Sequence, residues 1–562
     1  MSSTTYKMPA LLKLPLELLQ EICRELAVRR FTNIHLAKVA LTCRALYLAA
    51  NPILWERLPG LEPLLNLMPP ERWDEASLKF YYDASQASKL ASAPNSCPLP
   101  DFWAPIRELA NRVKVIDIYP LPRATQNKIL QANPRRKLLP HVHTVRLAQD
   151  KARSLEFVRG SVDYYRHFLR FIISFSCITD LSMDNAHRLA IRQGEFPRLR
   201  SLTRDDDSLS EAVVDALQQH PTQLQVVQSL TSHRLLGHLD IYIPFGPHPE
   251  LFEGLARLRR LAFLRIEFRS IEESGQSPWI ERRPKYPAGA FPALEVLHVY
   301  GVPFADAAAL LQSCPKRPLL NSVYVDSPET EPPANVLALT ETIERVCDPA
   351  YLQDVVLCRR IADAQFDDVA YQWTLTYEHI APLASISGLK SFGLGCFWRV
   401  HFTQEQWTHL ARSWPELFML EIIVIESYEP AGACCTLATL ATLAAHCPAL
   451  TRIYLPLEAT TIPPVPGTPN RLAIDAQEDV CIALNYPKDI GNAQEVAAFL
   501  QHTFGSGVRF DLGYQLDEDN KTFELERRDK EWEKVMSLTS GTRGPERGMP
   551  RGLLSVEWSK EE

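Results

Sequence analysis

At 562 residues the chain exceeds what one compact core accommodates, so several domains or an elongated repeat array is expected. Its 60 Lys and Arg against 67 Asp and Glu leave a formal charge of −7 and a pI near 6.1, which gives no electrostatic ground for binding nucleic acid. Twelve scattered cysteines argue against a disulfide framework, and no apolar run reaches the roughly 18–20 residues of a membrane span. The opening MSSTTYKMPALLKLP lacks a basic start, a long apolar core and a small-residue cleavage site, so the expected compartment is cytoplasm, nucleus or both.

After a flexible start (residues 1–10), residues 11–58 read as three short amphipathic helices with too little core of their own. Pro15 suits a first helical turn, and Leu18, Leu19, Ile22 and Leu26 follow on one face. A second helix starts near Asn33 and brings Leu36, Val39, Ala40, Cys43 and Leu46 together. For the third, Asn51-Pro52 supplies a cap followed by a first-turn proline, before Leu54, Trp55 and Leu58.

This segment resembles an F-box. The matching positions are Leu14-Pro15, Glu17, Leu18, Ile22, Leu26, Leu36, Val39, the run Leu41-Thr42-Cys43-Arg44, and Leu54-Trp55; the connector Ala27 to Ile34 is longer than the family's. The resemblance implies docking to a Skp-type adaptor, and through it to a cullin–RING ubiquitin ligase. Leu14, Pro15, Leu18, Ile22, Leu26, Leu36, Val39, Leu41, Leu54 and Trp55 would be the adaptor-binding residues. The alternative is that these helices only cap the domain that follows.

Residues 59–111 read as a helical linker with a Pro-rich bridge, Ser92 to Pro105. Over residues 112–460 one phrase recurs, x-Leu-x-x-Leu-x-apolar, often introduced by proline. Clear copies are FPRLRSLT at Phe196, LARLRRLAFLRIEF at Leu255, FPALEVLHVYG at Phe291, WPELFMLEIIVI at Trp414 and CPALTRIYLPL at Cys447. Weaker copies begin at Arg112, Leu139, Ile178, Leu236, Leu320 and Leu389. Each phrase reads as a strand whose preceding proline stops a helix. The roughly 20–37-residue intervals bracket the leucine-rich-repeat period and leave room for a helix, as in Ala305 to Leu311 and Ala433 to Ala445. One repeat cannot bury both its strand and its helix, so the expected fold is α/β: the N-terminal three-helix module, then an irregular leucine-rich-repeat solenoid with a C-terminal cap. These phrases resemble the divergent repeats behind the F-box in fungal proteins, notably those of mushroom-forming fungi, although a regular Asn at each turn is missing.

Glu272 to Ala288 and Asp326 to Pro333 read as polar loops between repeats, and residues 461–470 as a Pro-rich breaker. Residues 471–538 carry a last strand (Val480 to Tyr486), a helix opened by Asn492 and Glu495, and a charged helix from about Lys521 to Met536 bearing Trp532. Residues 539–562 read as a disordered tail.

No constellation of catalytic groups emerges, and no cofactor or metal is implied. Gly393-Leu394-Gly395 and Gly505-Ser506-Gly507 read as turns, His141 and His143 as surface histidines, Asp205 to Asp207 as a loop charge run. Arg135-Arg136-Lys137 and Arg282-Arg283 with Lys285 read as solvated loop charges, and Cys434, Cys435 and Cys447 as small apolar residues. The function expected is therefore non-enzymatic: a substrate receptor of an SCF-type ubiquitin ligase, with no nucleic-acid or membrane partner. Its target would be a protein held on outward strand positions such as His298, Tyr300, Tyr324 and Tyr454, since tyrosine is enriched among interface anchors. The other reading is an interaction scaffold unconnected with ubiquitin.

Overall fold

The computed structural model describes residues 14–28, 33–58, 60–65, 67, 106–118, 138–147, 177–183, 198–203, 234–243, 249–268, 286–287, 289–314, 319–328, 331–359, 374–396, 399–424, 435–464, 480–484, 490–504, 509–512 and 523–539. Several expectations lie outside them: residues 1–10, the bridge 92–105, the charge runs at 135–137, 205–207 and 282–285, Gly505 to Gly507, and the tail beyond 539. The chain divides into two units, residues 1–241 and 242–562.

The first unit opens with α1 (Leu16–Val28), α2 (Asn33–Ala40) and α3 (Arg44–Glu56). Leu19, Cys23, Leu36, Ala40, Ala49 and Ala50 are buried together, with Leu14, Ala45, Leu46, Ile53 and Leu54 packed around them, so the helices own a small core after all. The second and third helices divide differently from the sequence expectation. The chain leaves α2 at Leu41, where Thr42 N–H and Oγ1 both donate to the Val39 carbonyl (3.1 and 2.8 Å), and extended Cys43 starts α3. Asn51-Pro52 therefore lies inside α3 rather than at its start. Pro52 cannot serve the carbonyl four residues back, on half-exposed Leu48, and Asn51 Oδ1 accepts from the Trp55 indole (3.1 Å) instead of capping backbone.

From α3 the chain passes directly into β1 (Arg57–Leu58), which pairs in parallel with β2 (Val115–Ile118). β3 (Thr144–Leu147), β4 (Asp180–Met183), β5 (Ser201–Thr203) and β6 (His238–Ile243) follow in sequence order, each parallel to the last. In the second unit the same rule links β7 (Phe263–Phe268), β8 (Val296–Tyr300), β9 (Ser322–Ser327) and β10 (Asp354–Arg359). The short β11 (Thr374–Thr376) pairs with β13 (Arg399–His401) to one side, while β10 continues to β12 (Ser391–Cys396) and then β14 (Met419–Val424). A second short pair is β15 (Cys435–Thr436) with β17 (Leu457–Glu458), and the main run ends with β16 (Arg452–Leu455), β18 (Cys481–Leu484) and β19 (Arg509–Leu512). The strand expected to be last is thus followed by another.

Register explains the recurring phrase. In the second unit its three apolar positions are Leu261-Leu264-Ile266, Leu294-Leu297-Val299, Leu320-Val323-Val325, Leu352-Val355-Leu357, Leu389-Phe392-Leu394, Leu417-Leu420-Ile422 and Leu450-Ile453-Leu455, all essentially without solvent contact. The strands stack them row on row, each worth roughly 1.5–3 kcal/mol of burial. Between strands run helices such as Phe304–Ser313, Pro333–Val346, Gln404–Ser413 and Leu437–His446, whose buried faces cover the same side. A second ladder lies just before the strands, where one carbonyl takes two successive N–H groups of the next repeat. Ala262 O accepts from Glu295 and Val296 (2.7 and 2.9 Å), and in the first unit Lys114 O accepts from His143 and Thr144 (3.0 and 3.1 Å).

Two further expectations are corrected. Gly393-Leu394-Gly395 is no turn but the middle of β12. A Cβ on Gly393 would sit 3.2 Å from Val356 Cγ1, so a small residue there lets the strands meet. The polar loop expected from Asp326 to Pro333 has narrower bounds, since Asp326 and Ser327 end β9 and Pro333 begins a helix, and its polar residues Asp326, Ser327 and Glu331 are buried. The C-terminal helices run over Ala493–Phe504 and Phe523–Thr539, with Trp532 and Val535 fully buried.

Candidate functional site

Ten large apolar side chains among the described residues are strongly exposed, and six of them, Leu16, Leu18, Ile22, Leu41, Tyr47 and Leu48, belong to the N-terminal helices. This is a concentration that scattered surface apolars do not produce. Leu14, Leu18, Ile22 and Leu26, spaced by four residues, line a shallow groove of about 400 Å3 whose rim carries Glu21 and Glu25. Leu18 and Ile22 are 52% and 38% exposed. Arg24 donates to Glu21 across one turn (2.8 Å).

The other sequence-picked residues of this module divide by burial. Pro15 is exposed ahead of α1, and Leu41 stands 84% exposed in the turn after α2. Leu26, Val39 and Trp55 are half-buried. Leu36 is 1% exposed and belongs to the module's core, and Leu54 is half-buried and packs against that core. Leu16, Tyr47 and Leu48 were not picked. Starting the third helix at Asn51 placed Tyr47 and Leu48 ahead of it, although Ala45 and Ala49 opposite them carry the signal of a helix already under way.

A second cluster occupies the outward face of β7 to β10. There Arg265, His298, Tyr324 and Val356 share one register row, and Glu267, Tyr300, Asp326 and Cys358 the next. The Tyr300 and Tyr324 rings stack at 4.6 Å, His298 lies 5.7 Å from Tyr324, and the Arg265 guanidinium sits 5.2 Å over Tyr300. His298 Nε2 is 2.9 Å from Ser322 Oγ, and Cys358 Sγ is 3.1 Å from Tyr324 Oη. Burial, aided by the neighbouring Arg265 charge, lowers the His298 pKa to about 4, so its ring is neutral at physiological pH. Burial pushes Tyr300 and Tyr324 upward, keeping both phenols protonated. His298, Tyr300 and Tyr324 thus come together as a neutral aromatic patch. Tyr454 does not join them, because its row reaches Tyr324 only through Glu421, Gly393 and Val356, four strand spacings or roughly 19 Å away.

Among the described residues no three His, Cys, Asp or Glu side chains gather as a metal would require, and no helix is long and apolar enough to cross a membrane. Cys435 and Cys447 are buried, and Cys447, its pKa pushed up to about 12 by burial, donates to the Ala411 carbonyl (3.4 Å). His141 is exposed ahead of β3, and His143 is half-buried with Nδ1 3.0 Å from Thr144 Oγ1.

No protein-family model matches the chain, and no curated protein matches it. Among solved structures the chain is similar to a leucine-rich-repeat protein of Leptospira interrogans, at 11% identity over 74% of this chain and 93% of that one, with a TM-score of 0.30. By its own geometry the chain is a mixed α/β protein with a long run of parallel strands in sequence order, an arrangement consistent with leucine-rich repeats.

Proposed function

We propose that this chain is a non-catalytic receptor whose N-terminal helices act as an F-box, docking a Skp-type adaptor of a cullin–RING ubiquitin ligase, while its repeats hold a target protein in the cytoplasm or nucleus. The observation that carries this reading is the concentration of exposed Leu16, Leu18, Ile22, Leu41, Tyr47 and Leu48 on a module that has a core of its own. Covering two or three such side chains is worth several kcal/mol, at roughly 1.5–3 kcal/mol each. The receptor's contribution would be proximity, since holding a lysine near a charged conjugating enzyme raises its effective concentration. Target contact is assigned to His298, Tyr300 and Tyr324, with Tyr454 as a separate point.

Capture of the full chain by an immobilised Skp-type adaptor tests the first half. Charged residues at Leu14, Pro15 and Ile22 should abolish capture, but Leu14 also packs against the module's core, so Leu18→Glu with Ile22→Glu is the cleaner variant. Undiminished capture by the double variant would refute the docking role.

A second reading, the repeat scaffold with a helical cap, draws support from the direct passage of α3 into β1. There Lys114 N–H donates to the Glu56 carbonyl (2.9 Å) and the two side chains form an ion pair.

A further inference from the structure

The turns that precede β5 and β6 in the first unit carry three exposed arginines that meet no carboxylate among the described residues. Arg198 and Arg200 are both exposed while Leu199 between them is 1% exposed, so alternation sends both guanidinium groups outward from a segment anchored by a buried leucine. Arg234, in the next turn, is also exposed, ahead of fully buried Leu236. The two turns are joined, because Gly237 and His238 N–H both donate to the Arg200 carbonyl (2.8 and 3.0 Å). Neighbouring cations on the same edge are already satisfied, Lys114 by Glu56 and Arg112 by Glu108. Arg198, Arg200 and Arg234, by contrast, meet no carboxylate among the described residues. Exposed His141 adds a further polar ring on the same edge, two positions ahead of the His143 that leads into β3.

We propose that this arginine edge docks an acidic polypeptide segment in extended form. Arg198 and Arg200 flank buried Leu199 and are both exposed, so two cations two residues apart face the solvent together, as alternate side chains of an extended peptide do. Asp or Glu at alternate positions would therefore meet both forks, with Arg234 engaging a further carboxylate from the adjoining turn. Nucleic acid fits less well. The chain carries a net charge of −7, and Arg198 to Arg200 and Arg234 to Gly237 include no Phe, Tyr or Trp on which a base would stack. This edge is separate from the groove on α1, so the proposal stands or falls independently of adaptor docking.

Fluorescence anisotropy on the full chain tests it with three labelled probes: a short peptide alternating Glu and Ser, its Lys–Ser counterpart, and a short oligouridylate. The Glu–Ser peptide should bind and the Lys–Ser peptide should not. Affinity should fall about tenfold in the Arg198→Glu, Arg200→Glu, Arg234→Glu variant, and also when salt is raised from about 50 to about 500 mM. An Arg→Ala triple variant with an unchanged melting curve guards against a folding defect, and it too should lose the peptide. Unchanged binding of the Glu–Ser peptide by either triple variant overturns the proposal, as does no binding of it by the parent chain or tighter binding of the oligouridylate.

Discussion

His298 shows how one side chain ties the outward face to pH. Its imidazole is held by Ser322, flanked by Phe263 and Tyr324 and faced by the Arg265 charge, so the folded pKa of about 4 lies below the unfolded value of roughly 6.5. The sign follows from proton counting. Above the unfolded value neither state binds a proton, and the ring has no effect on stability. Between about 6.5 and 4 the unfolded chain takes up a proton that the folded chain refuses, so stability falls as pH falls through that window. Urea denaturation at pH 7 and pH 5 should therefore show a drop in the parent chain that is about 1–2 kcal/mol larger than in His298→Gln, with carboxylate effects common to both. Identical drops would mean that His298 titrates as a solvated residue and that the patch is open to water. Buried thiols behave in the opposite sense: Cys314 and Cys347, pushed up to about 12, stay protonated and chemically quiet across this range.

Between elements, a buried carboxylate fastens two helices to a strand. Glu331, 3% exposed, accepts from the Phe304 N–H that begins helix Phe304–Ser313 (2.6 Å), from Ser327 Oγ at the end of β9 (2.8 Å) and from Asn335 in helix Pro333–Val346 (2.7 Å). Glu331→Ala strands three donors in a dry site and should cost about 3–5 kcal/mol, whereas Glu331→Gln keeps acceptor capacity and should cost less; equilibrium denaturation measures both. From sequence the surrounding segment reads only as polar, because a buried charge and a solvated one look alike until partners from remote positions arrive. The same limit hid β10. Its outward positions Val356 and Cys358 are themselves buried against Tyr324 and Ile423, so the alternation that betrays a strand is absent. Where the outward positions are polar, as in β8 or β16, the phrase is legible and the inward rows fall on the expected residues. At the candidate site the sequence shows Leu18, Leu19, Ile22 and Leu26 as one face, of which Leu18, Ile22 and Leu26 line the groove together with Leu14 while Leu19 turns into the module's core. Which of the other apolar residues stay exposed was not legible, because that depends on how α3 crosses α1 and α2.

At the scale of the molecule, the two readings of function differ in what the N-terminal helices do for the sheet. If they cap it, their apolar residues must seal the first unit's core. If they are a docking module, that core should close without them. The buried residues of α1 to α3 cluster with one another, whereas Leu58, Leu61, Leu64, Leu65, Ile106 and Ala110, beyond the helices in sequence, are buried outside that cluster. Among the described residues, α3 is tied to the sheet where the Glu56 carbonyl accepts from Lys114 N–H and the Glu56 carboxylate pairs with the Lys114 ammonium, and β1 itself is tied to β2 by a 4.0 Å contact between Arg57 and Asp117. A useful truncation must spare these groups, because cutting after Leu58 would remove β1 from the sheet and destabilise it for reasons unrelated to capping. A chain beginning at Glu56 should then retain a cooperative thermal transition within a few degrees of the parent while losing capture by the adaptor. A roughly 1 kcal/mol loss moves the midpoint of a domain of this size by only about 2–4 °C, so circular dichroism melting separates the cases. Loss of the cooperative transition would favour the capped scaffold, because the helices would then be holding the sheet closed rather than waiting for another protein to cover them.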